Sequence, residues 1–229
     1  PAKLANVSLY GVFAVVNEQD GRVRVVDVLD LEQPTDWGAF VPPGPAREIV
    51  VAGSFGYHAH WEGGLQVLDL DDPSDPQDGG IAPTERPAVP LEIAERILYV
   101  WEPRGTSDGS LALYDLVDPR LPSFLGRVDA PRPTSIAAAG ATMFAVSHGL
   151  LEAYDVGDPS RPTRVGSLAV EGAVDIALGG SHAFVAAGER GLRVIDVSSP
   201  DALRSIGSIE GPEIWPRDAT LDGTTVYFG

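Results

Sequence analysis

An apolar alternation that ends in aspartate recurs five times along this chain: RVRVVDV, GLQVLDL, SLALYDL, LLEAYDV and GLRVIDV. The aspartates are Asp27, Asp69, Asp115, Asp155 and Asp196, spaced 42, 46, 40 and 41 residues apart. Eleven residues after each comes a glycine: Gly38, Gly80, Gly126, Gly166 and Gly207. Alternation with period 2 marks a strand whose side chains point to two different faces. Strand-rich repeats of about 40–50 residues, lacking helical periodicity, fold as propeller blades, each burying its faces against its neighbours. The predicted fold class is therefore all-β, a β-propeller of four-stranded antiparallel blades. Five blades and half of a sixth are present, where a complete ring is expected to hold roughly six to eight.

In blade one the strands a to d are predicted at Lys3–Leu9, Val12–Val16, Val23–Val28 and Trp37–Val41. The whole of 1–229 reads as one propeller domain, with blades near 1–45, 46–89, 90–132, 133–171 and 172–215 and a half blade at 216–229. In the half blade, Asp218–Leu221 and Thr224–Phe228 supply strands a and b. Strand b is then an unpaired edge, which propellers avoid by closing the ring. The expectation is that the native protein continues beyond Gly229, or that another segment supplies the missing strands. Proline stands four residues after the repeat aspartate at Pro73, Pro119, Pro159 and Pro200. With no amide hydrogen to give to a ladder, it ends strand c and stiffens the c–d turn. The aspartate itself is expected to accept backbone N–H bonds in that turn.

The net charge of −17 repels a phosphate backbone and an anionic membrane surface, so nucleic acid is not an expected partner. There is no cysteine, which rules out disulfides, thiolate metal sites and cysteine nucleophiles. No apolar run approaches the ~20 residues of a membrane span, and no direct transmembrane insertion is expected. The sequence begins at Pro1 without Met, so a signal peptide or further upstream sequence is expected to have been removed.

Gly191–Gly207 and Leu150–Gly188 carry the pattern L-x-V-x-D-V-x-x-P-x-x-P-x-x-V-G-S, followed by A-x-D-I-A and A-F-V-A-x-G. This pattern resembles the LVIVD repeat family, with blades two and three more divergent. The resemblance implies a β-propeller of the bacterial or archaeal cell-surface or exported kind, placed extracellularly, periplasmically or on the cell surface. It supplies no catalytic residue.

In a propeller the d–a and b–c loops share one face. Here the b–c loops hold Asn17 and Glu18, then His60, Trp61 and Glu62, then Trp101, Glu102 and Arg104, then His148, then Glu189 and Arg190. The d–a loops add Arg86, Arg132, Trp215 and Arg217. Trp and Arg are favoured interface anchors, because each joins a large apolar body to a polar handle. The expected binding face is thus His60, Trp61, Glu62, Trp101, Glu102, Arg104, Arg132, His148, Trp215 and Arg217, and its expected partners are other protein subunits. The competing reading makes the tryptophans caps over the blade tops; carbohydrate binding by them is a third.

A second constellation lies where the first strands begin. The place of Asp175 is matched by Lys3, Glu48, Glu92, Ser135 and Asp218. The carboxylates Glu48, Glu92, Asp175 and Asp218 are candidates for holding Ca²⁺ or another divalent cation at the channel mouth. Alternatively they bond neighbouring backbone amides, and no cofactor is assigned. His58 and His60 share one side of strand b and form a further metal candidate. DLDDPSDPQDGG does not fit a calcium loop and reads as an ordinary turn.

No H-E-x-x-H, P-loop or G-x-G-x-x-G occurs, and no catalytic residue is named. Ser181 and His182 are sequence neighbours, which on a strand would point apart. The leading expectation is a non-enzymatic scaffold or binding protein, exported or surface-associated, serving as a subunit of a larger envelope complex. The alternative is a metal-dependent hydrolase or lactonase-type enzyme at the channel mouth.

Overall fold

The computed structural model describes residues 4–18, 20–42, 49–60, 64–84, 87–106, 108–147, 149–211 and 214–229, with residues 4–6, 59, 60, 90 and 91 described by backbone only. Among these residues there is no α-helix, and no helix is long and apolar enough to cross a membrane. The first sheet contains β1 (Leu4–Tyr10), β2 (Phe13–Glu18), β3 (Val23–Asp27) and β4 (Thr35–Phe40). The second contains β5 (Ile49–Ala52), β6 (Phe55–His60), β7 (Gly64–Asp69) and β8 (Gln77–Ala82). The third contains β9 (Val89–Ala94), β10 (Ile97–Pro103), β11 (Asp108–Asp115) and β12 (Ser123–Pro131). The fourth contains β13 (Ser135–Ala139), β14 (Thr142–Ser147), β15 (Leu150–Asp155) and β16 (Thr163–Ala169). The fifth contains β17 (Asp175–Gly179), β18 (His182–Ala186), β19 (Leu192–Asp196) and β20 (Arg204–Ile209). The last is a pair, β21 (Ala219–Asp222) with β22 (Thr225–Phe228). Strands in every sheet pair in sequence order, the arrangement of propeller blades.

The chain divides into two compact units, 1–103 with 112–124 and 104–111 with 125–229. In the first unit, β1 lies beside β5 and β5 beside β9; in the second, β13 lies beside β17 and β17 beside β21. Apolar clusters fill the space between successive sheets. Val15, Val23 and Val25 of one sheet pack with Ile49, Leu68 and Leu70 of the next. In the second unit, Phe144, Val146, Leu151 and Ala153 pack with Ile176, Ala183, Val185 and Ile195. The alternation read from the sequence is thus the device that joins blades.

The repeat aspartates do what the turn chemistry predicts. Oδ1 of Asp27, Asp69, Asp115, Asp155 and Asp196 accepts the backbone N–H two residues on, at 2.8–3.1 Å. A second such bond follows three residues later, at Asp30, Asp72, Asp118 and Asp158, at 3.0–3.1 Å. The residue after each repeat aspartate donates its N–H to the a–b hairpin of the same sheet, at 2.8–2.9 Å. This ties both turns of one face together. Asparagine keeps the accepting oxygen and alanine does not, so Asp155→Asn should unfold near wild type in urea, whereas Asp155→Ala should lose about 1 kcal/mol.

The repeat glycines serve the junctions between sheets. A Cβ on Gly38 would lie 2.5 Å from the Pro73 carbonyl oxygen, and one on Gly126 2.5 Å from that of Pro159. On Gly166 it would run into the carbonyl of Pro200. Strand d therefore receives the carbonyl of the proline that opens the next sheet's c–d turn, and only hydrogen fits beneath it. Gly80 departs from this pattern, with φ +95 and nothing within 4 Å. The matching carbonyl, of Pro119, accepts instead from the Tyr57 hydroxyl at 2.8 Å.

Candidate functional site

Trp61, Glu62, Arg86 and His148 lie outside the described residues, and His60 is described by backbone only. Trp101 and Glu102 are buried, 5% and 0% exposed, and so are Asn17 and Glu18. This corrects the expectation that Trp101 and Glu102 present a binding surface. The reason is strand length: β2 runs to Glu18 and β10 to Pro103, so residues read as loop continue the ladder and turn inward. Glu102 accepts from the Tyr114 hydroxyl at 3.2 Å, and Glu18 from Arg24 at 3.2 Å.

The remaining members of the face belong to the second unit and are exposed: Arg104, Arg132, Trp215 and Arg217. Arg104 donates to the Gly109 carbonyl at 2.8 Å and to Asp129 at 2.6 Å. Trp215 and Arg217 flank the buried Pro216, whose carbonyl accepts from Gly188 N–H at 3.1 Å. Arg217 donates its own backbone N–H to Gly229 at 2.5 Å. The loop is thus pinned at its centre and end, and holds the Trp215 indole outward, 57% exposed. Nearby, the 3₁₀ turn Gly188–Arg190 carries Arg190, paired with Glu171 at 2.9 Å.

The strand register does not bring the candidate carboxylates to equivalent positions. Asp175 stands opposite Ala186, five residues past the hairpin at Gly180 and Ser181. By the same count its counterpart in β1 is Asn6, opposite Asn17, and Lys3 lies outside the described residues. In the third sheet the hairpin closes between Ala94 and Ile97, so Glu92, opposite Tyr99, takes the place of Ala177. Pro90, five residues before that hairpin, takes the place of Asp175, and a bulge between Tyr99 and Val100 sets it opposite Val100. Glu48 lies outside the described residues. Asp175 accepts the Ala219 N–H at 2.7 Å and Asp218 that of Gly229 at 2.9 Å, so both bond backbone amides. Among the described residues no three His, Asp or Glu stand together in a way that could hold a metal.

His58 is fully buried on β6, opposite Ile49 and Gln66. Ser181 Oγ lies 3.4 Å from His182 Nδ1, which corrects the expectation that the two point apart. Ser181 sits in the hairpin and not on the strand, so the alternation rule does not reach it.

Two features escaped the sequence reading. The a–b hairpins open on glycines with φ between 55 and 59, at Gly11, Gly53, Gly140, Gly180 and Gly223, but the third sheet places Glu95 there at φ 55. A non-glycine residue in this left-handed region is uncommon and strained. Glu95 and Arg96 border a depression of about 320 Å³ whose other walls include Phe55, Tyr57, Leu116 and Pro119. Burial pushes the Glu92 carboxyl up to about 7 and, with Glu95 and Glu92 near it, the Tyr99 phenol up to about 12. At the opposite extreme, the Ser198 hydroxyl and amide and the Arg204 guanidinium hold Asp196 down at about 2.

The LVIVD repeat family model matches residues 43–82 and 172–210. A search of curated proteins finds no match. Solved structures match in fold. A functionally unknown protein from Desulfotomaculum acetoxidans aligns with TM-score 0.78 and 13% identity, covering 94% of this chain and 72% of that one. The Cps50 (Swd1) β-propeller domain of Myceliophteria thermophila aligns with TM-score 0.70 and 11% identity, over 95% and 76%. A chain of the Mitotic Checkpoint Complex aligns with TM-score 0.75 and 12% identity, over 100% and 72%. This chain has the β-propeller fold and carries LVIVD repeats at 43–82 and 172–210.

Proposed function

We propose that this chain is a non-enzymatic propeller scaffold that holds a partner protein against its d–a and b–c loops, in an exported or surface-associated setting and as a subunit of an envelope complex. The observation that carries this reading is Trp215, 57% exposed on a loop pinned through Pro216 and Arg217. An aromatic anchor held rigid before binding loses little conformational entropy when a partner covers it. Arg217 and Arg132 add donors in the same unit, on a chain whose net charge is −17. The c–d turns, rich in aspartates engaged in their own backbone, are committed to folding.

The test compares wild type with Trp215→Ala and Arg217→Ala in cross-linking from native envelope extract. A partner retained by wild type and lost by both variants, at unchanged melting temperature, supports the scaffold. Trp215→Ala should cost well under 1 kcal/mol of stability, as expected of an exposed site. Retained partner with a melting temperature lowered by several degrees would make Trp215 a cap and sink the reading.

A further inference from the structure

The junction between the second and third sheets, within the first unit, is built unlike the others. At Gly38, Gly126 and Gly166 the strand-d glycine lies under the carbonyl of the next sheet's turn proline. Here a Cβ on Gly80 would meet nothing within 4 Å, and the Pro119 carbonyl accepts from the Tyr57 hydroxyl of β6 at 2.8 Å. The depression of about 320 Å³ opens at this junction, between the a–b hairpins of both sheets and the third sheet's c–d turn. Phe55, Tyr57, Leu116 and Pro119 give it apolar walls. Its charges are unbalanced. Arg96 pairs with Asp115 at 3.1 Å, and Arg120, 5.1 Å from the Phe55 ring centroid, pairs with Asp69 at 2.6 Å. Both cations are thus already matched by aspartates. Among the described residues nothing bonds the exposed Glu95 carboxylate. Glu95 also holds φ 55 where the other five a–b hairpins place glycine. Glycine would take that backbone without strain, so this side chain is kept at a cost to folding, as strained residues at ligand clamps are.

We propose that this depression is a docking site for a lysine side chain in an extended segment of a partner protein. The aliphatic stem lies along Leu116 and Pro119, and the ammonium meets Glu95 at the rim. Lysine covers apolar surface in this way while its charged head stays at a polar edge. The volume leaves room for an apolar neighbour of the lysine in the same segment. A second copy of this chain is a poor source, because Lys3 is its only lysine and two chains of net charge −17 repel each other. The site lies at the strand ends opposite the b–c loops, so it is independent of the Trp215 loop.

The probe is a fluorescein-labelled peptide, Gly-Ser-Leu-Lys-Leu-Ser-Gly, titrated into the 229-residue chain and followed by anisotropy. Salt at about 0.15 M screens the long-range attraction of any cation to an acidic chain. Saturable binding is expected, weakened roughly tenfold by Glu95→Gln, which keeps the size of the side chain and removes its charge. Glu95→Gly should bind as poorly and yet unfold at higher urea than wild type, because the strain leaves with the side chain. Glu32→Gln removes the same charge from an exposed site in the first sheet's c–d turn, and should leave affinity within about twofold. No saturable binding, or equal losses in Glu95→Gln and Glu32→Gln, overturns the proposal. A Glu95→Gly chain less stable than wild type also overturns it, by making Glu95 a structural residue. So does n-butylamine binding as tightly as the peptide, which would make the depression a site for small amines.

Discussion

Gly166→Ala is expected to cost about 3 kcal/mol of folding stability, while Gly207→Ala, the same change at the same repeat position, should be neutral or slightly stabilising. A methyl on Gly166 runs into the Pro200 carbonyl oxygen, with the carbonyl carbon at 3.1 Å and Asp201 Cα at 3.3 Å. These are backbone atoms of a turn braced by the Asp196 carboxylate, which accepts from Ser198 N–H at 3.1 Å, and by the Ala202 N–H bond to Ser199 at 2.9 Å. Neither side chain rotation nor a small slide of the turn relieves the overlap. Adding volume to a site that cannot yield typically costs about 1–3 kcal/mol, and this one lies at the upper end. On Gly207 the methyl meets ordinary van der Waals contact with Val194 at 3.8 Å. There the lower chain entropy of alanine in the unfolded state decides the outcome, and it is worth about 0.5 kcal/mol in favour of folding. Urea unfolding of both variants checks the pair. Equal losses would show that the glycines are kept for strand geometry and not for the carbonyl above them.

That contrast also shows which parts of the fold were legible in the sequence. The aspartate, proline and glycine of each repeat act locally or at a fixed offset, and each chemistry has one use in a turn or junction. Their spacing therefore carries the blade order directly. Glu92 illustrates the limit. LEIA resembles VDIA, yet the third sheet's hairpin arrives two residues sooner, so Glu92 falls two places nearer the turn than Asp175 does. Register is set by where the hairpin closes, which a short apolar string does not encode. Trp101 and Glu102 failed for a related reason. A tryptophan beside a glutamate and a proline looks like loop, and only the ladder of β10 carries them inward. Trp215 was placed correctly on a d–a loop, but its pinning through Pro216 depends on a partner at Gly188, far along the chain.

Glu92→Gln is expected to remove a pH dependence of about 2 kcal/mol between pH 5 and pH 8. Glu92 lies on β9 opposite Tyr99, and burial raises its carboxyl from 4.5 to about 7. The Ile93 backbone hydrogen bond opposes that rise without cancelling it. With the folded value above the unfolded one, the folded state holds its proton longer. Below about pH 4.5 both states are protonated, and the stability is fully present. Between about 4.5 and 7 the unfolded chain ionises while the folded one does not, so stability falls as pH rises; above 7 the loss is complete. The displacement corresponds to roughly 3 kcal/mol, of which about 2 falls between pH 5 and 8. The turns act in a different window and in the opposite sense. Asp72 and Asp158 are held low mainly by the hydroxyls and amides of Ser74 and Ser160, and Asp196 lies at about 2. Their stabilisation is present above about pH 4 and lost as pH falls toward 2. Wild type should therefore be most stable near pH 4–5, where the repulsion within a chain of net charge −17 has also begun to fall. Urea unfolding of wild type and Glu92→Gln at pH 5 and pH 8 isolates the Glu92 contribution, since every other group is common to both. Glutamine should leave stability at pH 5 within about 1 kcal/mol and raise it at pH 8; parallel pH profiles for the two proteins would show that the carboxyl is solvated in the folded state and titrates normally.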